Sequence, residues 1–141
     1  MNKIAIVFWS MSGNTEKMAH CIADGVTQAG GEAVLMGPGS FDANSWGEYS
    51  AVAFGCPAMG AEVLEEGEFE PMFAALEPTL SGKKIALFGS YGWGDGQWMR
   101  DWCDRCAAAE LYDENGLIAN YEPDDDGQEA CRQLGRALAN W

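Results

Sequence analysis

Hydrophobic positions in this chain alternate between two rhythms, unbroken apolar runs and apolar residues spaced about four apart. Ile4-Ala5-Ile6-Val7-Phe8-Trp9 follows Lys3 without a charge, which predicts a strand over 3–9 buried on both faces. From Asn14 to Ala29 the rhythm is helical, with Met18, Ile22 and Val26 on one face and Gly30-Gly31 as the stop. Ala33-Val34-Leu35-Met36 predicts a second strand, broken by Gly37-Pro38-Gly39, and a short helix follows near 43–48. Ala51-Val52-Ala53-Phe54-Gly55 is the third strand. A helix around Pro71–Leu76 closes at Ser81-Gly82. Lys84-Ile85-Ala86-Leu87-Phe88 is the fourth strand, and Gln97–Ala108 reads as a helix with Trp98 and Trp102 one turn apart. The fifth strand has two candidates, Leu111-Tyr112 and Leu117-Ile118-Ala119. Asp124–Trp141 is the last helix, its stripe formed by Ala130, Leu134, Ala137, Leu138 and Trp141.

Five strand–helix units without a repeat, linker or low-complexity tract predict an α/β domain with a doubly wound parallel sheet. A length of 141 residues suits one domain spanning the chain and is long enough for a real core. Ligands of such sheets sit beyond the carboxyl ends of the strands. Three loops lie at that edge: Ser10-Met11-Ser12-Gly13-Asn14-Thr15, then Cys56-Pro57-Ala58-Met59-Gly60-Ala61-Glu62, then Gly89-Ser90-Tyr91-Gly92-Trp93-Gly94-Asp95-Gly96.

The first of these loops carries the clearest chemistry. It joins a buried strand to a helix whose first N–H groups lack partners and bear partial positive charge. With hydroxyls at Ser10, Ser12 and Thr15 around them, these amides form a seat for one terminal phosphate. An ordinary capped helix is the alternative, since Ser and Thr cap helices widely. No lysine follows Gly13, so the loop is not a triphosphate cradle, and no G-x-G-x-x-G ends the first strand. A phosphoacceptor domain needs acids at the ends of its first and third strands, where this chain has Trp9-Ser10 and Gly55-Cys56. A low-molecular-weight tyrosine phosphatase needs Cys and Arg in the first loop, and neither is present.

Charge and cysteine content narrow the partners. A formal net charge of −14 argues against nucleic acid and anionic membranes and suits partners with basic faces. No apolar run approaches the roughly 20 residues of a membrane span, and the apolar start lacks a signal-peptide cleavage site. The expectation is a cytoplasmic protein. Five scattered cysteines fit a reducing compartment. Cys103-x-x-Cys106 lies inside a helical pattern, which favours packing over a redox pair. The lone His20 offers no zinc partner.

The three loops, in this order and spacing, resemble those of the flavodoxins, specifically the short-chain type of fermentative anaerobes. Ser10-x-Ser12-Gly13-Asn14-Thr15 matches the family's FMN-phosphate loop. Ala58-Met59-Gly60-x-Glu62 with Val63-Leu64-Glu65-Glu66 matches its first flavin loop, and Gly89–Gly96 matches its second. The likeness runs nearly end to end, includes Glu122-Pro123-Asp124 before the last helix, and lacks the insertion of long-chain members. It implies a flavodoxin-like sheet of five strands in order 2-1-3-4-5 with helices on both faces. It also implies a low-potential one-electron carrier that cycles non-covalent FMN between semiquinone and hydroquinone.

By the same resemblance, Ser10, Met11, Ser12, Gly13, Asn14 and Thr15 hold the phosphate. Pro57, Ala58, Met59, Gly60, Ala61, Glu62, Ser90, Tyr91, Gly92 and Trp93 surround the ring, with Met59 on one side and the Trp93 indole on the other. Trp93 lies between glycines, outside any periodicity, so its alternative is a loop anchor; Trp46, Trp98 and Trp102 read as packing residues. Flipping the 60–61 peptide presents the Gly60 carbonyl to flavin N5, one hydrogen bond contributing about 0.5–1.5 kcal/mol. Glu62 accepts from flavin N3–H and opposes charge on the reduced ring. Ala61 and Pro57 depart from the polar residues relatives often carry there. Glu65, Glu66, Glu68 and Glu70 read either as a solvated face or as a docking surface for basic-faced reductases and oxidoreductases. Asp124-Asp125-Asp126 complements a helix N-terminus. The chain is expected to act as a monomer. The competing reading is an NAD(P)H-dependent flavin or quinone reductase on the same fold, against which the Trp93 cover and the acidic surface count.

Overall fold

The computed structural model describes residues 2–141, and its strands all run parallel. In chain order the elements are β1 (Lys3–Phe8), α1 (Asn14–Gln28), β2 (Glu32–Met36), β3 (Ala51–Gly55), α2 (Phe69–Leu76), β4 (Lys84–Tyr91), α3 (Gln97–Arg105), β5 (Glu110–Leu111), β6 (Leu117–Asn120) and α4 (Asp125–Ala139). The sheet order is β2-β1-β3-β4-β5, with β6 also beside β4, so the expected 2-1-3-4-5 winding is present. The helix expected near 43–48 is a single 3-10 turn at Trp46–Glu48.

Both candidates for the fifth strand are real. β5 pairs with Lys84 and Ile85, and β6 pairs with Phe88 through Tyr91 on the same edge of β4. Between them Asp113 folds the chain outward: its carboxylate accepts from the Asn115 amide at 2.9 Å, and its carbonyl accepts from Gly116 at 3.0 Å. Asp-x-Asn-Gly is turn chemistry, and it splits the edge strand without losing its place. Pairing with β6 also carries β4 three residues past the predicted end at Phe88, so the third loop starts at Gly92. Helix α3 stops at Arg105, short of Ala108: the Cys106 and Ala109 amides bond three residues back, to Cys103 and Cys106 at 3.0 Å each, and the tightened chain brings the Ala108 carbonyl to the Gly82 amide.

Side chains alternate across the central strands as the period of two demands. Ile4 and Ile6 of β1 and Ala51 and Ala53 of β3 face α1 and α4, while Ala5, Val7, Val52 and Phe54 face α2 and α3. The second face is aromatic: Trp102 meets Phe69 and Phe73 edge-on at 5.4 and 5.6 Å, and Phe73 meets Phe54 at 5.4 Å. Trp98 and Trp102 are buried, and the half-buried Trp46 donates to the Thr79 hydroxyl, so these indoles pack the interior.

The other face is closed by two helices in backbone contact. A methyl placed on Gly25 would lie 2.0 Å from the Arg132 carbonyl oxygen, and one on Gly135 would lie 2.0 Å from that of Ile22. This contact sets the buried stripe of α4 to Cys131, Leu134, Gly135, Leu138 and Ala139. It therefore corrects the sequence-derived stripe: Ala130 and Ala137 are half-buried at its margins, and Trp141 meets Tyr112 edge-on at 5.5 Å. Overpacking of this kind costs about 1–3 kcal/mol. Gly135→Ala is expected to lower stability by about 2–3 kcal/mol in urea melts, whereas Gly47→Ala, with no atom within 4 Å of the added methyl, should change it by less than about 0.5 kcal/mol.

Candidate functional site

The carboxyl ends of β1, β3 and β4 deliver the three loops to one cleft of about 310 Å³. Ser10, Met11, Ser12, Asn14, Thr15, Pro57, Ala58, Met59, Ser90, Tyr91 and Gly92 line it, as does Tyr121. Of the remaining predicted residues, Gly13 caps helix α1 in the left-handed conformation (φ 95°), and Gly60 and Ala61 form an exposed turn. Glu62 reaches the start of α3, and Trp93 is 77% exposed.

The hydroxyls of the first loop divide their work. Ser10 Oγ accepts from the Glu16 amide at 3.2 Å and so does cap the helix. The Asn14 and Thr15 amides, at the first two helical positions, find no acceptor among the described residues. Those unpartnered donors fit an anion. Thr15 is buried and its Oγ1 accepts from the Ser90 amide at 3.3 Å, joining the first loop to β4. Lys17 lies 3.6 Å from the Glu122 carboxylate.

The second loop is a tight hairpin. Met59 and Val63 exchange both backbone hydrogen bonds, at 2.8 and 3.1 Å, across Gly60, Ala61 and Glu62. Gly60 has φ 39°, which glycine adopts without Cβ strain, but Glu62 also has a positive φ, 60°, where a side chain is disfavoured by about 1–2 kcal/mol. What holds Glu62 there is its carboxylate: Oε2 accepts from the Trp98 amide in the first turn of α3 at 2.9 Å. Oε1 is buried and has no partner among the described residues. A buried acceptor left unmatched costs about 1–3 kcal/mol, and a ligand N–H would satisfy it.

The acids that follow have structural duties. Glu65 accepts from the amides of Gly67, Glu68 and Phe69 at 2.7, 2.8 and 2.8 Å, closing the turn into α2. Burial raises its pKa, but these three amides outweigh that and hold it below the ordinary value. Glu68 takes the Trp9 indole N–H at 2.8 Å, and Arg105 binds Glu70 at 2.7 Å together with Glu77. Asp124 caps α4, accepting from the Gly127 amide at 2.7 Å, as the Asp-rich start predicts. Cys103 and Cys106 are free and buried, and burial pushes their thiols up to about 11 and about 12. Burial of this kind favours the neutral thiol. No cluster that could hold a metal occurs among the described residues, and no described helix is long and apolar enough to cross a membrane.

Tyr121 is the cleft residue that the sequence reading missed. Its backbone is left-handed (φ 58°) and clamped at both ends, the amide donating to Tyr91 at 2.7 Å and the carbonyl accepting from Ser90 Oγ at 2.8 Å. It follows the last residue of β6, so the rule that ligands gather at strand ends would have reached it had that pairing been legible.

A parallel doubly wound sheet with an amide-and-hydroxyl seat at its first helix and a buried acceptor one loop away defines a mononucleotide-binding α/β protein. Comparison with known proteins makes this specific. A family described as flavodoxin matches residues 6–135. The flavodoxin of Clostridium beijerinckii is 44% identical over 140 residues, covering 96% of this chain and 98% of that protein. The flavodoxin of Megasphaera elsdenii is 40% identical over 136 residues, with 96% and 98% covered. The solution structure of two-electron reduced Megasphaera elsdenii flavodoxin superposes with a TM-score of 0.86 at 38% identity, covering 98% of this chain and 99% of that one. The chain belongs to the flavodoxin family. Flavodoxins bind FMN and pass electrons to redox enzymes, so this is an electron-transfer protein rather than an enzyme. Its cleft volume, open amides and the orphan oxygen of Glu62 fit that cofactor.

The amide cage around Glu65 has a pH signature. A depressed carboxyl pKa contributes stability that is present above the unfolded value and lost as pH falls through the folded one. Glu65→Ala should cost about 1–2 kcal/mol at pH 7 in urea melts. That deficit should shrink once the pH falls below the ordinary carboxyl range of about 4.

Proposed function

We propose that the whole chain, residues 1–141, serves as one FMN-binding domain that carries electrons singly, at low potential, in the cytoplasm and as a monomer. When bound, FMN supplies the one-electron chemistry. The protein's part is to bind it, orient it and bias its charge. The Asn14 and Thr15 amides, with the Ser10, Ser12 and Thr15 hydroxyls, would hold the phosphate. Met59 and Trp93 would enclose the ring, with Pro57, Ala58, Ser90, Tyr91 and Gly92 around its edge.

The observation that carries this reading is the buried, unpartnered Oε1 of Glu62. An ionised carboxylate accepts only, so its complement is a donor such as the N–H of the flavin's pyrimidine ring. The same charge resists negative charge on the reduced ring and keeps the second potential low. Gly60 is left-handed (φ 39°) in an exposed turn, so inverting the 60–61 peptide, which would offer the Gly60 carbonyl to the ring, meets no Cβ strain at that residue.

Basic-faced redox enzymes fit the electrostatics of the rim. Met11, Val63, Trp93 and Tyr121 are exposed there, and Glu66 and Glu68 are exposed nearby. An apolar contact bordered by negative charge suits transient docking that is steered at long range and weakened by salt.

Stepwise reduction of the FMN-loaded protein, followed by absorbance, tests the assignment. Two resolved one-electron steps are expected. Glu62→Gln should raise the second potential by roughly 40–90 mV, equivalent to about 1–2 kcal/mol for one electron. Trp93→Ala should weaken FMN binding by about tenfold. A single two-electron step, or potentials indifferent to Glu62, would defeat the reading.

A further inference from the structure

The loop Gly92-Trp93-Gly94-Asp95-Gly96 uses its three glycines for three different reasons. At Gly96 the backbone is left-handed (φ 93°). At Gly92 an added methyl would lie 3.2 Å from the Tyr121 ring. Gly94 differs from both. Its backbone lies outside the left-handed region, so alanine could adopt it, and yet a Cβ there would lie 1.2 Å from Oε1 of Glu62 and 2.3 Å from its carboxyl carbon. The Glu62 carboxylate occupies the volume that any side chain at position 94 would need.

We propose that Gly94 is a positioning residue for the cofactor: by having no side chain it lets Glu62 lodge against the third loop, with Oε2 on the Trp98 amide and Oε1 buried and unpartnered. The two contacts act together. The helix start fixes one oxygen at 2.9 Å, and the gap at Gly94 decides where the other goes. A methyl at 94 would push Oε1 out of the volume it now fills and turn the carboxylate away from the third loop. It would also free the left-handed Glu62 backbone to relax, loosening the hairpin closed by Met59 and Val63. This rests on the reading of Glu62 as the acceptor for the FMN ring. It adds that the third loop reads the second through a missing Cβ.

The test is a double-mutant cycle on apoprotein titrated with FMN, binding being followed by the loss of flavin fluorescence. Gly94→Ala is expected to weaken FMN binding at least tenfold. In a Glu62→Ala background, where the methyl has room, the same substitution should change affinity less than twofold. Equal losses in both backgrounds, or a Gly94→Ala protein within twofold of wild type, would overturn the role of Gly94 while leaving FMN binding intact. A wild-type chain that takes up no FMN would refute the functional reading and this proposal with it. Should Gly94→Ala alone fail to fold, the Glu62→Ala/Gly94→Ala chain is expected to fold and to bind FMN like Glu62→Ala. Failure of that double variant to fold would also overturn the proposal. Thermal melts of the four apoproteins read this arm directly.

Discussion

A charge removed from water must be met by something, and at this sheet edge the Glu62 carboxylate is met only halfway. Its one satisfied oxygen rests on the first turn of α3, where unpaired amides and the helix dipole favour an anion. Its other oxygen is dry and unmatched. The second loop, the third loop and α3 are all arranged around that imbalance. The left-handed backbone of Glu62 is tolerated for the sake of the helix contact, and the third loop gives up a side chain at Gly94 to make room. On the reading proposed for Glu62, a ligand N–H that completed such a site would also stabilise it.

The same economy runs through the acidic sequence. A net charge of −14 invites a picture of a uniformly solvated negative shell, but several carboxylates in the segment after the second loop have internal partners. Glu65 gathers three amides, Glu68 holds an indole, and Glu70 shares Arg105 with Glu77. These bonds orient the charges before any partner arrives.

The fold was legible where local rhythm and burial coincide. β1, β3 and α1 read directly from Ile4–Phe8, Ala51–Gly55 and the Met18, Ile22, Val26 stripe, because elements buried in the core need continuous or strictly periodic apolar residues. The cleft was legible for a related reason: strand ends in a wound sheet share an edge, so Ser10–Thr15, Pro57–Met59 and Ser90–Gly92 had to meet. The split fifth strand was not, since two short half-buried segments score alike until β4 chooses both. Nor was the face of α4, which is set by the touching of Gly25 and Gly135 with the backbone opposite, a contact between residues far apart in the chain.

By itself, then, the amino-acid order determined the wound parallel architecture, the three loops that meet and a helix start among them that favours an anion. Those follow from periodicity and from which groups a helix start leaves unpaired, both local properties. Tertiary structure alone decided which oxygen of Glu62 is free, which acids are already engaged, that Tyr121 joins the cleft and that the Glu62 carboxylate fills the space beside Gly94. Each of these depends on how closely two distant segments approach, and that distance is a product of packing which no local pattern encodes.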